Sequence, residues 1–230
     1  MVSLGRGGGK ATVYLAASGH GDLIRFQILS RLLGASCDLH MLQPPSTDRV
    51  DSIADLATLY AERIGSHHDE APYIAGFSVG GIAAMETARK LKERGQDVRG
   101  LFLIDTVYPG AIWGRPAVWR MLVWATRNLG VQELSMNGRR LGAMFSDPGL
   151  VSQVMALKGY RPARFNGPTW LVKSSGLASW DRWLFKSWRT MQGELLKQIE
   201  VPGLHGSIFE AGNVDHLAHA LAKALAPVPN

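Results

Sequence analysis

One cysteine in 230 residues, Cys37, excludes an internal disulfide. The leading segment MVSLGRGGGK has no apolar core long enough for a secretion signal, so the chain reads as one for a reducing cytoplasm, with residues 1–9 as a linker or expression remnant. No run approaches the roughly 18 apolar residues of a membrane span, and no membrane association is expected. Acidic residues are the minority, 19 against 25 basic, for a formal charge of +6. The basic residues (Arg25, Arg31, Arg89, Lys90, Lys92, Arg94, Arg139, Arg140) are scattered over helical stretches, without a Gly-aromatic motif or a dense basic arm. Nucleic acid is therefore not the expected partner, whereas an acidic protein, or water alone, fits such a surface. Neither an internal repeat nor a second domain is visible; 46% hydrophobic and 19% charged residues suit a single globular domain over 10–230.

What is present is an alternation of strand and helix patterns. KATVYLAA (Lys10 to Ala17) reads as a buried strand ending in the turn Ser18-Gly19-His20-Gly21, and Leu23 to Leu33 as an amphipathic helix. Cys37 to Leu42 is a second strand, with Cys37 a small buried hydrophobe. A helix with Ile53, Leu56, Tyr60 and Ile64 on one face follows. Later strands are expected at Tyr73 to Ala75, Gly100 to Ile104, Thr169 to Lys173 and Leu195 to Val201, with helices from Ile82 to Leu91, Trp180 to Met191 and Val214 to Leu225. The order predicts an α/β fold: a mostly parallel sheet with helices on both faces and the site at the strands' carboxyl ends. Tyr108 to Phe165 (the stretch at about 108–166) breaks the alternation with short helical pieces rich in Trp and Met. It reads as a helical lid insertion, with Trp113, Trp119 and Met144 as candidate pocket-facing residues; the alternative is that its aromatics form their own small core.

The most informative stretch is PYIAGFSVGG, Pro72 to Gly81, an apolar strand followed by G-x-S-x-G and a helix. In that setting the pentapeptide is a nucleophile elbow: a strained turn admits only small residues at Gly76 and Gly80 and holds the Ser78 hydroxyl up at the strand end. The backbone N–H of Val79, at the helix start, can then donate to a developing oxyanion. A serine in an ordinary glycine-rich turn would leave the flanking strand and helix patterns unexplained. A serine nucleophile needs a base. Of seven histidines, His205 in VPGLHGS follows a strand and a Pro-Gly turn late in the chain, where an α/β-hydrolase carries its base; His20 is a weaker rival. The acid that orients the imidazole should end a strand. Asp105 in GLFLID does so, and Asp181 is the runner-up, separated by seven residues from the end of the Thr169 to Lys173 strand. A second oxyanion donor is expected from the backbone of Ser18 to Gly21, with Gly19 and His20 as candidates.

GFSVGGIAAMETARKLKERGQDVRGLFLIDT resembles the core of the thioesterase domains that end non-ribosomal peptide and polyketide synthases, members of the α/β-hydrolase superfamily. VPGLHGSIFEAGNVDHLAHALAKAL resembles their C-terminal segment and closing helix, so the likeness runs from about Lys10 to Leu225. The resemblance implies a thioesterase that releases an acyl or peptidyl chain from the phosphopantetheine arm of a carrier protein through a Ser78 acyl-enzyme, by hydrolysis or macrocyclisation. It implies neither metal nor bound cofactor; the carrier and its arm belong to the substrate. In that family the acid often follows the strand after the elbow helix, which maps to Asp105. The stand-alone editing (type II) relatives place it one strand later, which would favour Asp181. Their first strand usually ends in a proline-glycine-rich loop, where this chain has AASGHG, so the resemblance leans towards a releasing domain. The alternatives are a free-standing carboxylesterase or lipase-like hydrolase with the same triad, and a non-catalytic carrier-binding module.

Overall fold

β2 (Thr12–Ala16) and β4 (Tyr73–Phe77) lie side by side at the centre of a seven-stranded sheet of order β1-β3-β2-β4-β5-β6-β7. The remaining strands are β1 (Val2–Ser3), β3 (Asp38–Leu42), β5 (Gly100–Ile104), β6 (Thr169–Ser174) and β7 (Leu196–Val201). The computed structural model describes residues 1–5, 8–19, 23–45, 51–65, 70–109, 148–157, 159–176 and 185–226. All pairings are parallel except that of β1 with β3. Every residue of GLFLI in β5 is buried, as a strand covered on both faces requires.

Side chains alternate across the sheet, and so does the packing. Tyr14 and Ala16 belong to one core with Ile74, Leu101, Leu103 and Leu171, covered by α2 (Ile53–Gly65), α3 (Val79–Glu93), α4 (Pro148–Ala156) and α5 (Lys186–Gln192). Val13 and Leu15 belong to the other with Ala75, Phe77, Phe102 and Val172, under α1 (Leu23–Leu33) and α6 (Asn213–Leu225). The chain winds from β2 to β3 on one side and returns to place β4 on the other. The carboxyl ends of β2 and β4 therefore bound the crevice where such sheets carry their sites.

Two expectations change. Residues 1–9 contain a short strand rather than a plain linker: Val2 pairs with Met41 and Ser3 with His40, while Met1, Val2 and Leu4 pack on the two cores. The last part of the expected insertion packs on the body of the fold. Leu150, Leu157 and Phe165 join the core under α3, and the Tyr160 hydroxyl donates to Glu86 of α3 at 2.7 Å. The helix expected from Trp180 is described from Lys186.

Candidate active site

Ser78 stands between β4 and α3 with φ 54° and ψ −125°, a backbone conformation that costs a non-glycine residue about 1–3 kcal/mol. The neighbouring glycines make that conformation possible. A Cβ on Gly76 would run into the carbonyl of Gly80, one on Gly80 into the carbonyl of Ala16, and one on Gly81 into the side chain of Thr106. The Ser78 N–H donates to Ile104 O at 2.9 Å, and the Ser18 hydroxyl donates to Phe77 O, which ties the end of β2 to the nucleophile strand. Val79 begins α3, and the first amides of a helix lack intrahelical acceptors.

His205 lies in the turn after β7 with its Nε2 3.0 Å from Ser78 Oγ and its Nδ1 3.1 Å from Asp105 Oδ2. The buried carboxylate accepts the Nδ1 proton, which leaves Nε2 as the acceptor for the serine hydroxyl. The imidazole stacks on Phe77, centroids 4.9 Å apart at 22°, and Phe77 in turn meets the edge of Phe209. The turn itself is braced. Ser207 Oγ accepts from Leu204 N at 2.9 Å, Asn213 Nδ2 donates to Ser207 O at 3.0 Å, and Gly176 N donates to Gly203 O at 2.9 Å. Gly203, at φ 111°, supplies the bend that the Pro-Gly pair announced.

Asp105 is fully buried and also has positive φ, 48°. Its N–H donates to Val172 O at 2.7 Å, so the residue leans from β5 onto β6. Ser174, at the end of β6, donates twice to the carboxylate: N–H to Oδ1 and Oγ–H to Oδ2, both at 2.7 Å. The indole of Trp188 donates to Thr106 O at 2.8 Å and holds the next residue of the same loop.

Ser78, His205 and Asp105, predicted separately, thus meet in one hydrogen-bonded line. Such a line can remove the hydroxyl proton as the oxygen attacks a carbonyl carbon, then return it to a leaving group. Gly19 lies three residues after β2 with φ 154°; His20, Asp181, Trp113, Trp119 and Met144 lie outside the described residues. Phe77 and Ser174 were not singled out from the sequence, and Ser18 was named only as the first residue of the stretch expected to give the second oxyanion donor, not for its hydroxyl. Phe77 had a weak signal as the residue before the nucleophile, and Ser174 had none. Among the described residues no group of His, Cys, Asp and Glu could hold a metal ion, and no helix is long and apolar enough to cross a membrane.

A parallel sheet with helices on both faces and a serine elbow at its centre defines an α/β-hydrolase. Within that class the thioesterase domain model matches residues 12–116. The chain is 24% identical over 228 residues to the thioesterase frbE of Dothideomycetidae sp. (strain 11243), covering 93% of this chain and 89% of that protein. It is 33% identical over 114 residues, 47% of its length, to the non-reducing polyketide synthase PKS16 of Cladonia grayi, of which it spans 5%. Among solved structures, the NocB thioesterase domain from the nocardicin cluster superposes with a TM-score of 0.70 at 26% identity, covering 95% of this chain and 94% of that one. Residues 12–116 are thus similar to thioesterase domains, and the chain along its length is similar to the thioesterase frbE and to the NocB thioesterase domain.

Proposed function

We propose that this domain releases an acyl or peptidyl chain from the phosphopantetheine arm of a carrier protein by two-step acyl transfer through Ser78. The observation that carries the reading is the unbroken Ser78–His205–Asp105 line beside the start of α3. His205 Nε2 takes the proton as Ser78 Oγ attacks the thioester carbonyl. The oxyanion rests on the Val79 N–H and a second amide from the stretch that includes Gly19 and His20. The carbon–sulfur bond breaks as His205 passes its proton to the sulfur, the thiol leaves, and Ser78 carries the acyl group. Water or an internal hydroxyl or amine then loses its proton to His205, attacks the ester and restores Ser78. Hydrolysis frees an acid, whereas an internal nucleophile frees a ring. Neither a metal nor a bound cofactor takes part.

Asp105 at the end of β5, bonded to His205, favours the releasing arrangement over the editing one. The net charge of +6 suits an acidic carrier, and the cytoplasm suits such a partner. Trp113, Trp119 and Met144 remain the candidates for the acyl pocket's cover.

The test combines labelling with a choice of substrate. Ser78→Ala abolishes covalent labelling by a fluorophosphonate and lowers thioester turnover on the order of 10⁴-fold or more, since the members of a triad act as a unit. The intact domain turns over an acyl N-acetylcysteamine thioester in preference to a nitrophenyl ester of the same acid. Labelling at another serine overturns the assignment, and the reverse substrate preference points to a carboxylesterase.

A further inference from the structure

β6 runs parallel to β5 with Ile104 opposite Val172, so the residue after β5 stands opposite Lys173, one position short of Ser174. Asp105 crosses there to bond Val172 O, and its side chain meets the end of β6. With no exposed surface, this carboxylate must find all its donors inside the protein. Ser174, itself 2% exposed, provides a backbone donor to Oδ1 and a hydroxyl donor to Oδ2. Oδ2 is also the oxygen that faces His205 Nδ1.

The two donors differ in what they require of the side chain. Any residue at 174 keeps the N–H to Oδ1. Only a hydroxyl at the serine position supplies the second bond. That bond removes the remaining freedom of the carboxylate about its terminal torsion, a broad well in the absence of partners. With both oxygens held by one residue, Oδ2 keeps an acceptor direction for Nδ1–H, and the imidazole keeps Nε2 aimed at Ser78.

We infer that Ser174 is a positioning residue of the site, acting through Asp105 to hold His205 in the tautomer and orientation that serve Ser78. The inference rests on the triad reading above. It predicts an effect on the chemical step and none on substrate binding, because Ser174 is buried behind the acid.

A double-mutant cycle tests it, with an acyl N-acetylcysteamine thioester as substrate and active sites counted by fluorophosphonate. Ser174→Ala lowers kcat roughly ten- to a hundredfold, the size of one hydrogen bond to a buried charged group, with KM unchanged. In the Asp105→Asn background the same change causes no further loss, because the group it positions is gone. A role confined to folding would instead add its effect in both backgrounds. Ser174→Thr and Ser174→Val form a second pair of nearly equal shape that differ by the hydroxyl, so the comparison stands even where alanine does not fold. Threonine recovers most of the rate that valine loses. A native kcat in Ser174→Ala, equal rates in the threonine and valine forms, or an equal loss in the Asn background overturns the inference while leaving the triad intact. A native rate in Asp105→Asn alone overturns the triad reading and this inference with it.

Discussion

Cys37 shows how burial decides the chemistry of one residue. Its side chain is 2% exposed, and burial, with the adjacent Asp38 charge adding to it, pushes the thiol from 9.0 up to about 12. The folded state therefore keeps its proton while the unfolded chain loses it, so stability is complete below about pH 9 and falls as pH rises towards 12. Equilibrium unfolding at pH 8 and pH 10 should show the decline, and Cys37→Ala should flatten it. At pH 8 alkylation of the native thiol by iodoacetamide should be on the order of 10³-fold slower than in urea, from the thiolate fraction alone. At the site, the non-glycine residues with positive φ among the described residues are Ser78 and Asp105, and each is fixed by hydrogen bonds that offset the strain. Both were legible because each ends an apolar strand, as His205 was by its Pro-Gly turn. Ser174 was not. A serine ending TWLVKS has no signal until the register of β5 against β6 puts it beside an aspartate 69 residues away.

Among the elements, the elbow is the most constrained junction. Gly76 is the last residue but one of β4, Gly80 the second of α3, and the carbonyls of Ala16 and Ala17 lie at the end of β2, with no room for a Cβ between them. Gly80→Ala forces backbone against backbone and should cost about 3 kcal/mol, with loss of Ser78 labelling in whatever remains folded. Gly95→Ala makes the contrasting case. Gly95 has φ 78° and open space around its Cβ position, so the change should cost only the left-handed penalty of about 1–2 kcal/mol and leave labelling intact. Thermal melts and labelling of both variants check the pair. The elbow could be read because glycine spacing and helical periodicity coincide in one decapeptide. β1 could not, since Val2–Ser3 is too short to have a period, and only the edge of β3 makes it a strand.

At the scale of the molecule, two cores on opposite faces of one sheet leave the strand ends free to carry chemistry. The alternation of elements predicted that arrangement well. It could not predict how the stretch between β5 and β6 divides, because Leu150, Leu157 and Phe165 look the same in a lid as in a core. The site's residues come from far apart in the chain: His205 is 127 residues from Ser78 and 100 from Asp105. Every one of these contacts depends on strands being correctly paired first, and pairings of such long range form slowly. Activity in this domain is therefore a gauge of the whole fold. In a urea titration, turnover and the far-ultraviolet circular dichroism signal should disappear along one cooperative curve, and on dilution they should return with a single shared rate. If turnover vanished at a lower urea concentration than the dichroism, the turn that carries His205 would be a separately unfolding unit, and this gauge would report on that turn alone.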